Sequence, residues 1–257
     1  MKTKTKIIFL TGWACICISP VKAQDYKVTK SSGTLEINEV NNVSIEGYNG
    51  AEIVFSSRGH DREQDERSKG LRAVSSLGLE DNTGIGLSVI DKGTVTEVRQ
   101  MKKMDGPEIK IMVPRGVAVR YSQTSPNGDD VKFKNVEGDI EVSTIHKGVF
   151  LDNVTGSVNI RTVHGEIEGS FGPNLKNPIA IASVHGHVDV SFPMGTKANL
   201  KLGTVHGEIF VDPDFKIDLD RSGGMIKLSD NVMGKINGGG LDISLSSTHG
   251  NVYLRKN

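Results

Sequence analysis

Apolar and polar residues alternate along most of this chain, and the alternation is clearest in its middle. Around Gly165, Val163 and Ile167 share one parity, whereas His164 and Glu166 share the other. A period of two residues is typical of a β-strand with one buried face and one wet face. The pattern therefore predicts strands that put valine and isoleucine into a core and leave histidine and glutamate in solvent.

One short sequence motif recurs in this region: a strand, a glycine and a second strand. Its copies occupy residues 135–142, 153–160, 162–167, 183–190, 204–211 and 247–254. Each copy has its glycine where the chain should change direction. We expect a positive φ at these glycines, because glycine alone adopts that conformation without steric cost.

The spacing of the copies predicts an all-β fold, a single-domain β-solenoid with coils of about 18–21 residues. His146, His164, His185 and His206 follow one another at intervals of 18, 21 and 21 residues. Coils stacked in register lie about 4.8 Å apart. His249 comes 43 residues after His206, which predicts a place two coils further on. A β-sandwich is the alternative, since short, regularly spaced strands also suit it.

The first 23 residues have the pattern of a secretory signal peptide. Lysines at positions 2, 4 and 6 precede an apolar stretch from 7 to 18, and small residues precede a cleavage point before Gln24. Residues 24–257 then form one β-strand-repeat domain, because no linker divides them. We expect an exported protein of the periplasm or cell surface, with no transmembrane segment in the mature chain.

Removal of the leader changes the composition of the chain. Both cysteines and the single tryptophan leave with it, so an exported domain must be held together without disulfides. The remainder has 27 basic and 31 acidic residues, a net charge of −4. This balance argues against nucleic acid or an anionic membrane as the main partner.

These repeats resemble the bacterial putative-adhesin family, a β-strand-repeat domain of unknown function. The resemblance is carried by the Asn-Val-x-Gly-Asp-Ile-x-Val copy at 135–142 and the Val-His-Gly-Glu-Ile copies, and it extends over about residues 34–255. It implies one β-solenoid at the cell envelope with a binding or structural role, and it brings no catalytic residues. Many family copies have serine or asparagine where this chain has His164, His185 and His206.

The histidines are the chemically specific feature of the repeats. Stacked coils would place His164, His185 and His206 in an outward column, and the residues two positions on would be Glu166, His187 and Glu208. Imidazoles and carboxylates suit zinc, copper or nickel. The pattern thus indicates a candidate site for zinc or copper, and the alternative is a solvated column with no cofactor.

The sequence favours a non-catalytic cell-envelope protein that acts as an adhesin-like binding module or scaffold. Its partner would be an envelope protein or a polysaccharide. An exported transition-metal-binding protein that uses the histidine column is the first alternative, and a carbohydrate-active β-helix enzyme is the second. The enzyme is disfavoured because the mature chain has no cysteine nucleophile, no Gly-x-Ser-x-Gly motif and no tyrosine within the regular repeats of residues 135–212.

Overall fold

A computed structural model describes residues 25–58, 67, 70–71, 74–104, 106–219 and 231–257. The predicted signal peptide therefore lies outside the described residues. Among the residues that the structure describes there are strands but no α-helix, and so no helix suited to crossing a membrane.

Twenty-one strands make up the described part of the chain. In the first half they are β1 Asp25–Thr29, β2 Ser32–Asn38, β3 Val43–Tyr48, β4 Glu52–Arg58, β5 Leu87–Asp91, β6 Val95–Gln100, β7 Glu108–Pro114, β8 Gly116–Gln123, β9 Val131–Lys134 and β10 Ile140–Thr144. In the second half they are β11 Val149–Val154, β12 Val158–Thr162, β13 Ile167–Phe171, β14 Ile179–Ser183, β15 Val188–Phe192, β16 Ala198–Thr204, β17 Ile209–Val211, β18 Ile217–Leu219, β19 Asn231–Ile236, β20 Leu241–Ser247 and β21 Val252–Lys256.

The strands form two long sheets, and the predicted β-solenoid is confirmed. The ten-stranded sheet has the order β1-β4-β7-β3-β9-β11-β13-β15-β21-β17, and the eleven-stranded sheet has the order β18-β19-β16-β20-β14-β12-β10-β8-β2-β6-β5. From β8 to β17 the chain alternates between the sheets, and its strands pair in parallel with those of neighbouring coils. Each coil therefore gives one strand to each sheet.

Two strand pairs lie out of chain order. The β2–β3 pair is inserted between β6–β7 and β8–β9, and the β20–β21 pair is inserted between β14–β15 and β16–β17. The prediction that His249 lies two coils beyond His206 is wrong for this reason. Its coil lies between those of His185 and His206.

Antiparallel strands close most of the stack. At one end β4 and β1 extend the ten-stranded sheet, and β5 extends the other sheet. At the opposite end β19 and β18 extend the eleven-stranded sheet. Such end strands cover an open rung whose backbone groups would otherwise be unpaired.

The core lies between the sheets and follows the predicted parity. Inward side chains along β12 are buried while Asn159 and Arg161 are exposed. The rings of Phe171 and Phe192 stack in the core with their centroids 4.6 Å apart. Burial of these aliphatic and aromatic side chains is the main stabilising contribution, at about 25 cal/mol per Å² of apolar surface.

The corner glycines are required for a reason other than the one predicted. Positive φ values occur at Asn135 and Asn153, each about 53°, and not at Gly165 or Gly186. A Cβ atom at Gly186 would instead lie 2.1 Å from the carbonyl oxygen of Gly165 on the next coil. Glycine is therefore needed at these corners because adjacent coils approach too closely for any side chain.

A column of buried hydroxyl groups ties these corners together. The Ser183 hydroxyl accepts a hydrogen bond from the Gly186 amide at 2.8 Å and donates to the Gly165 carbonyl at 3.1 Å. The same pair of bonds recurs at Ser247 and Thr204. Each hydroxyl thus satisfies one buried donor within its coil and one buried acceptor on the next coil.

Replacing Ser183 with alanine is expected to lower the free energy of unfolding by about 2–3 kcal/mol, because it leaves a buried amide and a buried carbonyl without partners. Replacing it with threonine should cost less than about 1 kcal/mol, since threonine fills the equivalent place at Thr162 and Thr204. Urea denaturation of the two variants beside the unchanged protein measures both values. Equal losses in the two variants would show that the hydroxyl does not stabilise the corner.

Candidate functional site

The repeats build one continuous surface on the outer side of the solenoid. It begins at the corner that precedes the ten-stranded sheet and continues across that sheet. Successive outward positions along each coil form columns that cross the strands. In stack order, the first column contains His146, His164, His185, His249 and His206. We call these five residues the histidine column.

The imidazole rings of the histidine column are exposed and lie face to face. Neighbouring ring centroids are 5.5 Å apart for His146 and His164, and 4.8–4.9 Å apart along the rest of the column. The planes of neighbouring rings differ by 12° or less. The column was predicted to face outward, and it does, with the coil of His249 as an additional member.

The stacking of the rings limits how neighbouring histidines could share one metal ion. Two nitrogen atoms bound to one zinc ion cannot be more than about 4.2 Å apart, given bonds of 2.0–2.1 Å. Parallel rings whose centroids are 4.8 Å apart hold their equivalent nitrogens at the same separation. Neighbouring rings of the column therefore do not converge on a shared ion in this arrangement, and metal binding by the column stays a prediction.

The second column contains Glu166, His187, Asn251 and Glu208, as the backbone bonds between their strands show. Asn251 separates His187 from Glu208, because β21 is inserted between β15 and β17. The side-chain oxygen of Asn251 accepts a bond from the Glu208 amide at 2.9 Å. Glu208 is thus two strands away from His187, and the predicted grouping of these two residues is wrong.

His187 instead lies between two carboxylates of the neighbouring coil. Its Nδ1 atom is 3.3 Å from Glu166 Oε1, and its Nε2 atom is 3.6 Å from Glu168 Oε1. Among the residues that the structure describes, Glu166, Glu168 and His187 are the group of three whose ligand atoms lie within 4.8 Å of one another. Glu168 is exposed, with the same parity as Glu166, but it was not among the predicted ligands.

An aromatic and charged patch continues the surface toward the end of the stack. The rings of Tyr253 and Phe210 are stacked with centroids 5.1 Å apart, and the Arg255 guanidinium lies 5.2 Å from the centre of the tyrosine ring. Arg255 also donates two hydrogen bonds to Asp189, at 2.6 and 2.7 Å. These bonds raise the pKa of Arg255. We call these four residues the aromatic patch.

The sequence pattern did not reveal this patch. Tyr253 and Phe210 are 43 residues apart, and only the insertion of β21 beside β17 brings them together. Tyr253 lies between the buried Val252 and Leu254 and so has the outward parity of its strand. Its neighbours could not be known without the strand order.

Two pockets of the described chain lie elsewhere. One is lined by residues that include Gln100 and Met101, and the other by residues that include Tyr48 and Arg115. Neither includes a residue of the histidine column or the aromatic patch. The five histidines and Phe210 are exposed, so a ligand on this surface would be bound by surface contacts.

Comparison with known proteins bears on this arrangement of stacked coils. The model of the family described as Toastrack DUF4097 matches residues 19–255. The chain belongs to this family. Membership confirms the family resemblance drawn from the repeats, and this Toastrack chain is an all-β domain of a family whose function is unknown.

Solved structures of low sequence identity also match the Toastrack chain. A putative cell adhesion protein from Clostridium sporogenes is 11% identical, with 92% of this chain and 100% of that chain covered and a TM-score of 0.47. A putative adhesin from Bacteroides fragilis is 12% identical, with coverage of 92% and 98% and a TM-score of 0.42. A putative adhesin from Parabacteroides merdae is 10% identical, with coverage of 91% and 97% and a TM-score of 0.28. No curated protein matches the chain.

Proposed function

We propose that this Toastrack domain is a non-catalytic, exported module of the cell envelope that binds envelope polysaccharide through the aromatic patch. Export is supported by the leader pattern of residues 1–23. The observation that carries the binding role is the stacked pair of the exposed Phe210 and the half-buried Tyr253, beside the ion pair of Asp189 and Arg255. A protein of the envelope is the alternative partner.

The chemistry of the patch suits a sugar chain. Aromatic rings offer an apolar surface against which the C–H groups of a sugar ring can pack, and Phe210 is 44% exposed. The paired carboxylate and guanidinium of Asp189 and Arg255 offer hydrogen-bond acceptors and donors to hydroxyl groups. Because Phe210 is exposed at the surface, a sugar chain could contact the patch without threading into a cavity.

We expect the purified protein to bind one or more bacterial envelope polysaccharides without cleaving them. A double variant, Phe210→Ala with Tyr253→Ala, should weaken that binding by about tenfold or more, as loss of central aromatic contacts usually does. Affinity can be measured on immobilised polysaccharides, and the same mixtures can be assayed for release of reducing ends.

Phe150 supplies the matched control. It lies in the same column of outward positions, three strands from Tyr253, because its register partner Glu168 pairs in turn with Asp189 and then Tyr253. Replacing Phe150 with alanine should leave the affinity unchanged. Equal losses in both variants would argue against the aromatic patch as the binding surface. Release of reducing ends by the unchanged protein would contradict a non-catalytic role.

A further inference from the structure

We propose that Glu166, Glu168 and His187 form a binding site for a divalent transition-metal ion such as Zn²⁺. This site is separate from the histidine column and does not depend on polysaccharide binding. It is formed by two successive coils, because β13 provides Glu168, the residue before β13 provides Glu166, and the residue before β15 provides His187.

The separations between the three side chains are close to those of a metal site. In a tetrahedral zinc site with bonds near 2.1 Å, neighbouring ligand atoms are about 3.4 Å apart. The Nδ1 atom of His187 is already 3.3 Å from a Glu166 oxygen. One ligand atom from each of the three residues lies within 4.8 Å of the other two. Glu168 Oε1 lies nearest the other ring nitrogen, Nε2, at 3.6 Å, so the exposed Glu168 side chain has to turn toward Nδ1 to join Glu166 on one ion.

The surroundings hold the imidazole in place between the carboxylates. The ring of Tyr253 contacts His187 edge to face, with centroids 6.2 Å apart and planes at 82°. The side chain of His187 is 29% exposed, while those of Glu166 and Glu168 are 59% and 50% exposed. The ring is therefore partly enclosed and the carboxylates face solvent, so that an ion can enter from outside and keep water as a fourth ligand.

The donor set selects the class of ion. One imidazole nitrogen with two carboxylate oxygens suits zinc and the neighbouring first-row divalent ions, whereas calcium and magnesium prefer oxygen ligands alone. Asp189 lies beside Glu168 on the next strand, but its two oxygens accept bonds from Arg255. The geometry therefore points to three protein ligands.

The histidine column does not offer the same arrangement, although it contains more imidazoles. Its rings are parallel, and their equivalent nitrogens are about 4.8 Å apart. The two groups of residues can thus be tested separately in one protein. Replacing His187 or Glu168 changes the three-residue site, and replacing His164, His206 and His249 changes only the column.

The test is calorimetric titration of Zn²⁺ into the purified protein without a histidine tag, with Ca²⁺ and Mg²⁺ as comparison ions. We expect one zinc ion per chain with a micromolar or lower Kd. His187→Gln and Glu168→Gln should each raise that Kd by about tenfold or more, since each removes one of three ligands. The triple variant His164→Gln, His206→Gln and His249→Gln should retain the original affinity.

Two further measurements keep the result interpretable. Circular dichroism melting curves establish that each variant is folded before its affinity is compared. The visible absorption of bound Co²⁺ reports an ion coordinated by the protein, and this signal should disappear in His187→Gln. Absence of zinc binding, loss of binding in the triple variant alone, or equal affinity for Ca²⁺ would each overturn the proposal.

Discussion

Replacing Gly186 with alanine is expected to destabilise the domain by more than about 4 kcal/mol, a loss in the exceptional range for point mutations. The new Cβ atom would lie 2.1 Å from the carbonyl oxygen of Gly165 and 2.6 Å from its carbonyl carbon. Both atoms belong to the backbone of the neighbouring coil, so no side-chain rotation relieves the overlap. The coils would have to separate locally and lose the hydrogen bonds between Ser183 and the corner glycines.

Gly195 provides a matched control in the turn after β15. A Cβ atom at Gly195 would meet no atom within 4 Å, and the residue does not have a positive φ. Alanine at this position should change the free energy of unfolding by less than about 1 kcal/mol, with stabilisation expected from the less flexible unfolded chain. Urea denaturation of both variants tests the pair. A loss at Gly186 no larger than that at Gly195 would show that the close approach of the coils does not constrain this corner.

Much of this fold was predictable because a strand's parity and a repeat's phase are local properties. Val163 and Ile167 had to share a face, and residues at one phase of a solenoid had to align from coil to coil. These two facts were enough to predict a solenoid and an outward histidine column. They also predicted that Glu166 and His187 occupy the same column, which the backbone bonds of their strands show.

The strand order was not predictable from the same properties. Every copy of the motif presents the same backbone groups and the same kind of buried residue to a neighbouring coil. Local sequence therefore does not specify which coils lie side by side. The β20–β21 pair matches β14–β15 on one side and β16–β17 on the other. The misplacement of His249 followed directly from this ambiguity.

The candidate site depends on that order more than the fold does. Tyr253 lies beside Phe210 and Asp189 only because its strand is inserted among theirs. The same insertion separates Glu208 from His187. His187 instead contacts Glu168, which lies diagonally across from it on the neighbouring strand. Which side chains meet depends on which strands are neighbours in the sheet. The order of the strands along the chain did not identify those neighbours. Position within the repeat therefore predicted that these side chains face outward, but it did not identify which of them lie side by side.

Removing residues 238–257 is expected to prevent folding of the remaining chain. The deleted segment contains β20 and β21, which lie inside the stack and pair with a strand on each side. Four of its side chains are at most 1% exposed: Ile243, Leu245, Val252 and Leu254. At about 1.5–3 kcal/mol for each buried side chain, the loss is on the order of 10 kcal/mol, which is comparable to the whole stability of a typical domain.

A truncation at the other end supplies the comparison. A chain that begins at Lys30 lacks β1, a strand at the sheet edge that pairs only with β4 among the described strands. It should fold with a lower stability, because the inner coils keep all their partners. Circular dichroism and urea denaturation distinguish the two truncated chains. A simple solenoid with its coils in chain order would lose only its last coil on removal of residues 238–257. A cooperative unfolding transition in that shorter chain would therefore contradict the inserted position of β20–β21.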